Sequence, residues 1–432
     1  MDERVKTWKE GYTPLPRHQH LPIDRFVKYF NAINSIGVTE IGGNSRFPYT
    51  KEYREAVNCI KEWMKEIGMT VHEDAIGNVY GKTKGIYTHK SLMIGSHIDT
   101  VPDGGMFDGL LGVLSALTAV EAFVEQNGMP KWSIEVAAFV DEEGSRFNHG
   151  LFGSRAMIGE ISEDTIHHYY DDKGISMAEA MKADGLHPEQ LESVKRDMSQ
   201  LIGYLELHVE QGIVLEENNQ QIGVVDGIAG PARETFTFLG SADHAGNTPM
   251  NMRKDALIGA SQFISAIEEL PGKFSGSAVA TVGKISNYPN GTNVIPGKTE
   301  VTVDIRDVEE DVREELIEEI KATAQKIADK RELTLEISNG IRVQPVRMNA
   351  QMTEMIESST KDLNLSYRRM PSGAGHDAML VGKKIPAGMI FVPSHKGKSH
   401  TPEEWTSMSD CLDGILVLER TLGKILSTYK ED

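Results

Sequence analysis

Apolar positions in the first half of the chain alternate between short continuous runs and one longer stretch with helical spacing. The runs SLMIGS (91–96) and SIEVAAFV (133–140) are continuously apolar, as buried strands are, and residues 107–128 between them repeat apolar positions with the period of a helix. This order predicts a β-α-β unit within a sheet that is covered on both faces. In such sheets ligands bind beyond the carboxyl ends of the strands, so the polar residues that follow each strand are candidates for chemistry.

A second pattern begins near Glu234 and follows the order β-α-β-β-α-β. Its segments are TFTFLGS (235–241), a helix over 254–270, AVATVGKIS (278–286), EVTVDIRD (300–307), a helix over 309–331 and LTLEIS (333–338). The order predicts one ferredoxin-like unit. The remainder, from about Arg342, is assigned back to the first domain, because it adds a helical stretch (350–363) and the strand-like MIFVP (389–393).

The predicted fold class is therefore α/β, with two domains. A discontinuous first domain covers 1–226 and 342–432, and a smaller domain over 227–341 is inserted into it. A length of 432 residues is sufficient for two such domains without the support of disulfides.

The balance of charge narrows the possible partners. The chain has 45 Lys and Arg against 64 Asp and Glu, a formal net charge of −19, which repels polyanions and anionic membrane surfaces. We therefore expect neither a nucleic-acid partner nor a membrane partner. The acidity does not exclude a small anionic substrate, because divalent cations or a local Arg can reverse the sign of the potential inside one pocket. Two cysteines are too few for a disulfide framework, the first thirty residues lack an apolar signal region and no apolar run approaches 18 residues, so we expect a cytoplasmic protein.

Residue types that bind metals occur in five segments at predicted strand ends or at a helix start: GSHIDTVPDGG (95–105), FDGLLG (107–112), DEEGSRF (141–147), LELHVEQG (205–212) and KSHTPEE (398–404). His97 and the pair Glu142 and Glu143 each follow a strand of the predicted β-α-β unit, and Asp108 opens its helix, so these side chains should converge. Imidazole and carboxylate ligands without a thiolate suit zinc, manganese or cobalt in a catalytic site. A carboxylate has two oxygens and can bridge two ions, and Asp108 is the candidate bridge.

Several motifs together resemble a known family: GSHIDTVPDGGMFDG, DEEGSRF, ELHVEQG, DHAGNTPMNMRKDA, NVIP, SGAGHDA and SHTPEEW. The chain is similar, from about residue 20 to 425, to the two-zinc peptidase and aminoacylase clan. Within that clan it resembles the branch that holds N-carbamoyl-L-amino-acid amidohydrolases, allantoate amidohydrolases and β-ureidopropionase-like enzymes. The resemblance implies a zinc-exopeptidase-like catalytic domain with an inserted lid and dimerisation domain. It also implies two divalent metal ions per subunit, Zn²⁺ first, with Mn²⁺ or Co²⁺ as alternatives.

The same resemblance implies roles for individual residues. One metal ion would be held by His97, Asp108 and His208, and the other by Asp108, Glu143 and His400. Asp99 would hydrogen-bond to the His97 ring and hold its tautomer. Glu142 would be the general base that takes a proton from the attacking water and later delivers it to the leaving nitrogen.

Substrate-binding roles fall mostly in the predicted inserted domain. His244, Asn293 and Arg306 correspond to family positions that bind the substrate and stabilise the oxyanion of the tetrahedral intermediate. Arg306 can instead pair with a substrate carboxylate through two parallel hydrogen bonds. Gln211 offers an amide donor and an acceptor to a ureido group, and the backbone at Gly375 can approach a substrate closely.

The leading hypothesis is a two-metal amidohydrolase that attacks the N-carbamoyl or ureido group of a small carboxylic acid. N-carbamoyl-L-amino acids are the first candidate substrates and allantoate is the second. The alternative on the same scaffold is cleavage of an N-acyl amino acid or a dipeptide, and Gln211 is the residue on which the two hypotheses differ. A third hypothesis, a catalytically silent binding protein, conflicts with the complete set of candidate ligands and base. We expect a homodimer formed through the inserted domain.

Overall fold

The computed structural model describes residues 3–430. The β-strands in this range are β1 Thr70–Glu73, β2 Val79–Lys82, β3 Tyr87–His97, β4 Trp132–Phe139, β5 Leu201–Val209, β6 Ile222–Ile228, β7 Gly230–Leu239, β8 Val279–Tyr288, β9 Lys298–Asp307, β10 Thr334–Arg342, β11 Val346–Arg347, β12 Tyr367–Ser372 and β13 Ala387–Val392. The α-helices are α1 Glu3–Glu10, α2 Ile23–Asn34, α3 Lys51–Glu66, α4 Leu110–Asn127, α5 Phe152–Met157, α6 Glu163–His168, α7 Met177–Ala183, α8 Val214–Glu217, α9 Ala256–Ile267, α10 Glu310–Lys330, α11 Ala350–Asp362, α12 Asp377–Val381 and α13 Met408–Thr428.

A mixed sheet forms the framework of the first unit. Its strands have the order β1-β2-β4-β3-β5-β13-β6, and β12 also pairs with β6. β3 is parallel to both β4 and β5, and β5 is parallel to β13. The elements β3, α4 and β4 are the predicted β-α-β unit. Helix α4 is apolar on all sides and buried over most of its length, because it contacts both the sheet and α13.

The second unit is a four-stranded antiparallel sheet with two helices. Its strand order is β10-β7-β9-β8, so β8 and β10 are the edges. Side chains along β9 alternate in burial, and Val301, Val303 and Ile305 on its inner face join a core with α9 and α10. This arrangement confirms the predicted order β-α-β-β-α-β.

The two units have unequal sizes and boundaries set by local pairing. The first comprises residues up to Asp226, Met348–Met370 and His376 onward, and the second comprises Gly227–Arg347 and Pro371–Gly375. The expected limits of the inserted domain are 227 and 341. The second unit continues to Arg347 because β11 pairs with Gly227 and Ile228. It includes 371–375 because the amide of Ala229 donates to the carbonyl of Ser372, at 2.8 Å.

Within residues 3–430, no helix combines the length and the apolar character that crossing a membrane requires.

Candidate metal centre

Parallel strands bring the predicted residues of the first unit to one edge of its sheet. His97 is the last residue of β3, His208 lies near the end of β5, and Glu142 and Glu143 follow β4 in the next loop. Because β3 pairs in parallel with both β4 and β5, the carboxyl ends of these three strands lie side by side. Asp108 joins them from the loop that precedes α4.

Gly109 permits the close approach of this loop to β3. Its φ is +63°, and a Cβ atom at this position would lie 2.3 Å from Cε1 of His97. A side chain would therefore displace the His97 ring or the backbone beside Asp108.

The first cluster of possible ligands consists of His97, Asp108 and His208. Each offers one ligand atom, and these atoms lie within 4.8 Å of one another. Oδ1 of Asp108 is 3.4 Å from Nε2 of His97 and 3.2 Å from Nε2 of His208. All three residues are buried, so solvent does not compensate their charges.

The second cluster consists of Asp108, Glu143 and His400, again with ligand atoms within 4.8 Å of one another. Nε2 of His400 is 3.3 Å from Oδ2 of Asp108 and 3.6 Å from Oε1 of Glu143. The two oxygens of Asp108 thus face different histidines. The His400 side chain is 48% exposed, which makes this cluster the more accessible of the two.

Backbone carbonyls orient the two buried imidazoles. Nδ1 of His97 donates to the carbonyl oxygen of Asp99 at 3.1 Å, and Nδ1 of His208 donates to that of Val209 at 2.9 Å. These bonds turn both Nε2 atoms towards Asp108.

Asp99 acts differently from the sequence-based expectation. Its carboxylate is 3.7 Å from Nδ1 of His97, too long for the expected hydrogen bond. Instead Oδ1 and Oδ2 accept from the backbone amides of Glu142 and Glu143, at 3.3 and 3.1 Å. The carboxylate of Asp99 therefore holds the loop that carries these two glutamates, while its carbonyl orients His97.

Burial and neighbouring charge shift the pKa values of these carboxyl groups. Burial, assisted by Glu143, raises the pKa of Glu142 well above its ordinary value, although His97 opposes the shift. Burial and the charge of Asp108 raise the pKa of Glu143 to about 8. Burial also disfavours the charge on Asp108, yet the surrounding histidines, His208 foremost, hold its pKa well below the ordinary range. Burial is thus the main cause of the raised pKa values of the two glutamates, while the histidines stabilise the charged form of Asp108.

Gln211 and His400 both adopt left-handed backbone conformations, with φ of 57° and 56°. Such values are uncommon for residues with side chains and cluster at functional sites. Nε2 of Gln211 donates to Oδ2 of Asp108 at 2.7 Å and lies 3.2 Å from Nε2 of His400. The structure thus places this predicted substrate-binding residue directly beside the second cluster.

The other four predicted substrate-binding residues belong to the second unit. His244 forms an isolated bridge with Val294, and the amide of Ala245 donates to the carbonyl of Asn293 at 3.0 Å, so His244 and Asn293 lie on adjacent segments. Arg306, on β9, donates through Nε to Oδ1 of Asp304 at 2.7 Å and through Nη1 to the carbonyl of Gly373 at 2.7 Å. Gly375 ends the 371–375 segment that contains Gly373. The structure therefore brings His244 and Asn293 onto neighbouring segments, and it joins Arg306 to the segment that ends at Gly375.

Two further buried residues, Arg46 and Glu404, lie next to the clusters and are not predicted by the sequence motifs. Arg46 is fully buried, and its Nε donates to the carbonyl of Ile98 at 3.1 Å, which holds the loop of Asp99. Glu404 is 2% exposed and accepts from the amide of Asp108 at 2.9 Å. The motif SHTPEEW contains Glu404, but the pattern does not tell which of its two adjacent glutamates points inward.

Comparisons with known proteins identify the family of this chain. The model of peptidase family M20/M25/M40 matches residues 93–424. The N-carbamoyl-L-amino-acid amidohydrolase of Pseudomonas sp. (strain NS671) is 40% identical over 405 residues, covering 93% of this chain and 98% of that protein. The allantoate amidohydrolase of Escherichia coli (strain K12) is 36% identical over 388 residues, covering 89% of this chain and 94% of that protein. The crystal structure of an amidase of the hydantoinase/carbamoylase family from Burkholderia multivorans has a TM-score of 0.87 at 30% identity, covering 94% of this chain and 98% of that one. This chain therefore belongs to peptidase family M20/M25/M40, which is metal-dependent.

Proposed function

We propose that this protein is a two-metal amidohydrolase that cleaves the N-carbamoyl (ureido) group of a small carboxylic acid and releases the amine, carbon dioxide and ammonia. N-carbamoyl-L-amino acids are the first candidate substrates and allantoate is the second. The observation that carries the proposal is the pair of ligand clusters that share Asp108. Relatives that match nine-tenths of this chain or close to it are named for these two substrates, which supports the substrate class.

The donor set fits two divalent cations. Its atoms are imidazole nitrogens and carboxylate oxygens without a thiolate, and Oε1 of Glu143 is buried with no hydrogen-bond partner among the described residues. Zn²⁺ is the proposed metal, and Mn²⁺ and Co²⁺ are the alternatives that the same donors accept. When bound, such cations supply Lewis acidity towards a carbonyl oxygen and lower the pKa of water.

Glu142 is the proposed general base. It belongs to neither ligand cluster, it is buried, and its Oε2 lies 3.7 Å from Nε2 of His97. A carboxylate whose pKa is raised by burial takes up a proton from water at near-neutral pH more readily than an exposed one. Glu142 would then return that proton to the leaving nitrogen. The hydrogen bond that the Glu142 amide donates to Asp99 holds the Glu142 backbone for this task.

Groups of the second unit are proposed to bind the substrate. Arg306 would pair with the substrate carboxylate, because a guanidinium offers two parallel donors and Asp304 holds its Nε. His244 and Asn293 would donate hydrogen bonds to the oxygen that gains negative charge in the tetrahedral intermediate. Gln211 would recognise the ureido group with its amide, and the backbone of Gly375 would lie against the substrate.

The second unit is also the proposed dimerisation surface. Strand β8 is an edge of its sheet, and Val279, Ile285 and Tyr288 on it are each about half exposed. Unpaired strand edges with exposed apolar side chains are favourable sites for pairing with another chain. Sedimentation analysis at micromolar concentration should give a homodimer, and a monomer would contradict this part of the proposal.

A substrate panel tests the proposed reaction. Metal-reconstituted enzyme is given an N-carbamoyl-L-amino acid, its D-enantiomer, the matching N-acetyl-L-amino acid, a dipeptide and allantoate, and the release of ammonia or amine is followed. We expect turnover of the N-carbamoyl-L-amino acid, allantoate or both, with much lower kcat/KM for the acetyl and peptide compounds. Faster cleavage of the acetyl compound or the dipeptide would replace the proposal with the N-acyl or dipeptidase alternative.

A further inference from the structure

A buried glutamate, Glu404, accepts hydrogen bonds from two consecutive backbone amides, those of Phe107 and Asp108. Oε1 of Glu404 accepts from the amide of Phe107 at 2.7 Å and from that of Asp108 at 2.9 Å. The Glu404 side chain is almost completely buried, so water does not replace these bonds. The proposed bridging residue is therefore held through its own backbone amide.

Ser399 extends the same contact to the side chain of Asp108. Its Oγ lies 3.0 Å from Oε2 of Glu404 and 3.1 Å from Oδ2 of Asp108. Glu404 and Ser399 thus contact Asp108 at two places, its amide and the oxygen that faces His400. The amide contact fixes the backbone of Asp108, and the Ser399 hydroxyl, whose one proton serves either carboxylate, lies against the Asp108 oxygen that faces His400.

The approach of Glu404 depends on a glycine. A Cβ atom at Gly105 would lie 2.4 Å from both Cβ and Cδ of Glu404. Any side chain at this position would push the Glu404 carboxylate away from the two amides. Gly105 therefore offers a second way to disturb the contact without changing Glu404 itself.

The segment that carries Glu404 is itself fixed to the core. The amide of His395 donates to the carbonyl of Trp405 at 2.7 Å, and Nε1 of Trp8 donates to the carbonyl of Thr406 at 2.9 Å. The Trp405 ring meets the Phe107 ring edge-on, with centroids 6.2 Å apart. Glu404 is thus a rigid anchor.

Burying the Glu404 carboxylate lowers the stability of the folded protein unless hydrogen bonds compensate for it. A carboxylate buried beside the carboxylate of Asp108 is disfavoured both by desolvation and by like charge. Two backbone amides and a hydroxyl offset that cost only in the observed position.

We infer that Glu404 is a positioning residue that holds Asp108 in the orientation needed to bridge two cations. This inference rests on the proposed two-metal site. Glu404 acts on the cations only through Asp108, and the property that it needs is an oxygen acceptor facing the two amides. Its neighbour Glu403 is 71% exposed and pairs with Lys398, so it provides the matched control.

The test compares wild type, E404A, E404Q, G105A and E403A in cation binding and in kinetics. Metal-free proteins are titrated with Zn²⁺ against a competing chelator, the bound ions are counted, and kcat and KM are measured with an N-carbamoyl-L-amino acid. We expect E404A and G105A to lose 10- to 100-fold in cation affinity, as changes to residues that support metal ligands typically do, with a lower kcat and a nearly unchanged KM. E404Q keeps the acceptor oxygen and should restore most of the affinity, and E403A should equal wild type.

Each opposite result overturns the inference. Wild-type cation affinity in E404A does so, and so does a loss in E404Q as large as that in E404A, because the acceptor would then not be the property that matters. If E404A fails to fold, G105A decides, and an unchanged affinity in that variant contradicts the inference. A wild-type protein that binds fewer than two cations refutes the proposed function instead.

Discussion

Buried carboxylates within β4 and beyond its carboxyl end have opposite electrostatic surroundings. Within the strand, Glu135 accepts from Nη1 of Arg196 at 2.6 Å and from Oγ of Ser91 at 2.6 Å, and Nζ of Lys82 lies 3.0 Å away. Despite burial, these partners hold the pKa of Glu135 at about 2. Beyond the carboxyl end, burial and Asp108 raise the pKa of Glu143 to about 8, and its Oε1 has no hydrogen-bond partner within residues 3–430.

The contrast distinguishes a carboxylate that stabilises the fold from carboxylates that are available for chemistry. At Glu135 the chain supplies its own cations, so the group is satisfied when the protein folds. Within residues 3–430, no Lys or Arg forms an ion pair with Glu142 or Glu143, although both side chains are buried. A buried group of carboxyl oxygens and imidazole nitrogens without a Lys or Arg partner is a favourable place for cations from solution.

The largest expected effect comes from Glu142. Glu142→Gln keeps the size of the side chain but removes the proton acceptor, and a positioned general base contributes about 10²- to 10⁴-fold to rate. We expect kcat to fall by this factor while the number of bound cations stays the same, measured by steady-state kinetics and elemental analysis. Near-normal turnover would remove Glu142 from the mechanism.

Arg306 sharpens the comparison by contrast with Arg196, because Arg196 pairs with the buried Glu135 whereas Asp304, the partner of Arg306, is only partly buried. Arg306→Ala should lower kcat/KM for a carboxylate substrate by about 10- to 100-fold, the worth of a hydrogen bond between charged groups. For an analogue in which an amide replaces the carboxylate of this substrate, wild type and Arg306→Ala should have similar kcat/KM. Arg233→Ala is the control, because Arg233 also pairs with Asp304, through Nε at 3.0 Å. Equal kcat/KM in wild type and Arg306→Ala would remove the proposed carboxylate contact.

Gln211 should have a smaller effect that depends on the substrate. Gln211→Ala removes the amide that is proposed to recognise the ureido group, and one hydrogen bond contributes about 2- to 10-fold. The ratio of kcat/KM for the N-carbamoyl compound to that for the N-acetyl compound should therefore fall by this factor. Cation content is the control, since Gln211 contacts Asp108. An unchanged ratio would favour a role in the metal clusters alone.

Glu135 should affect stability and not turnover. Its pKa in the folded protein is about 2, below the ordinary 4.5, so its stabilising effect is complete above pH 4.5 and is lost as the pH falls towards 2. Glu135→Gln should lower the free energy of unfolding at pH 6 by about 3 kcal/mol. Urea denaturation of both proteins should show this difference shrinking between pH 4.5 and 2. A difference that does not depend on pH would contradict the ion-pair explanation, and lower turnover at pH 7 would contradict the contrast.

Much of the fold can be predicted from the spacing of apolar residues along the chain. The continuous apolar run at 91–96 lies within β3, the run at 133–140 overlaps all of β4 except Trp132 and continues one residue beyond it, and the helical period over 107–128 covers α4. The ends of parallel strands then bring His97 and Glu143 together. The pattern does not predict which distant segments pair, so it does not assign residues 371–375 to the second unit.

Details of hydrogen bonding around the clusters lay beyond sequence analysis. A pattern identifies Asp99 as a polar residue after a strand, but not that its carbonyl meets His97 while its carboxylate meets two amides. Likewise Glu403 and Glu404 are adjacent and identical in type, and only the path of the backbone decides which of them reaches Asp108.

Counting bound cations tests the central claim most directly. Wild type, Asp108→Ala and Glu135→Gln are dialysed with Zn²⁺, freed of loosely bound ions and measured by elemental analysis. The shared carboxylate predicts two ions per chain in wild type and in Glu135→Gln, and loss of both in Asp108→Ala. A wild-type protein with one ion or none, or an Asp108→Ala variant that still holds two, would contradict it.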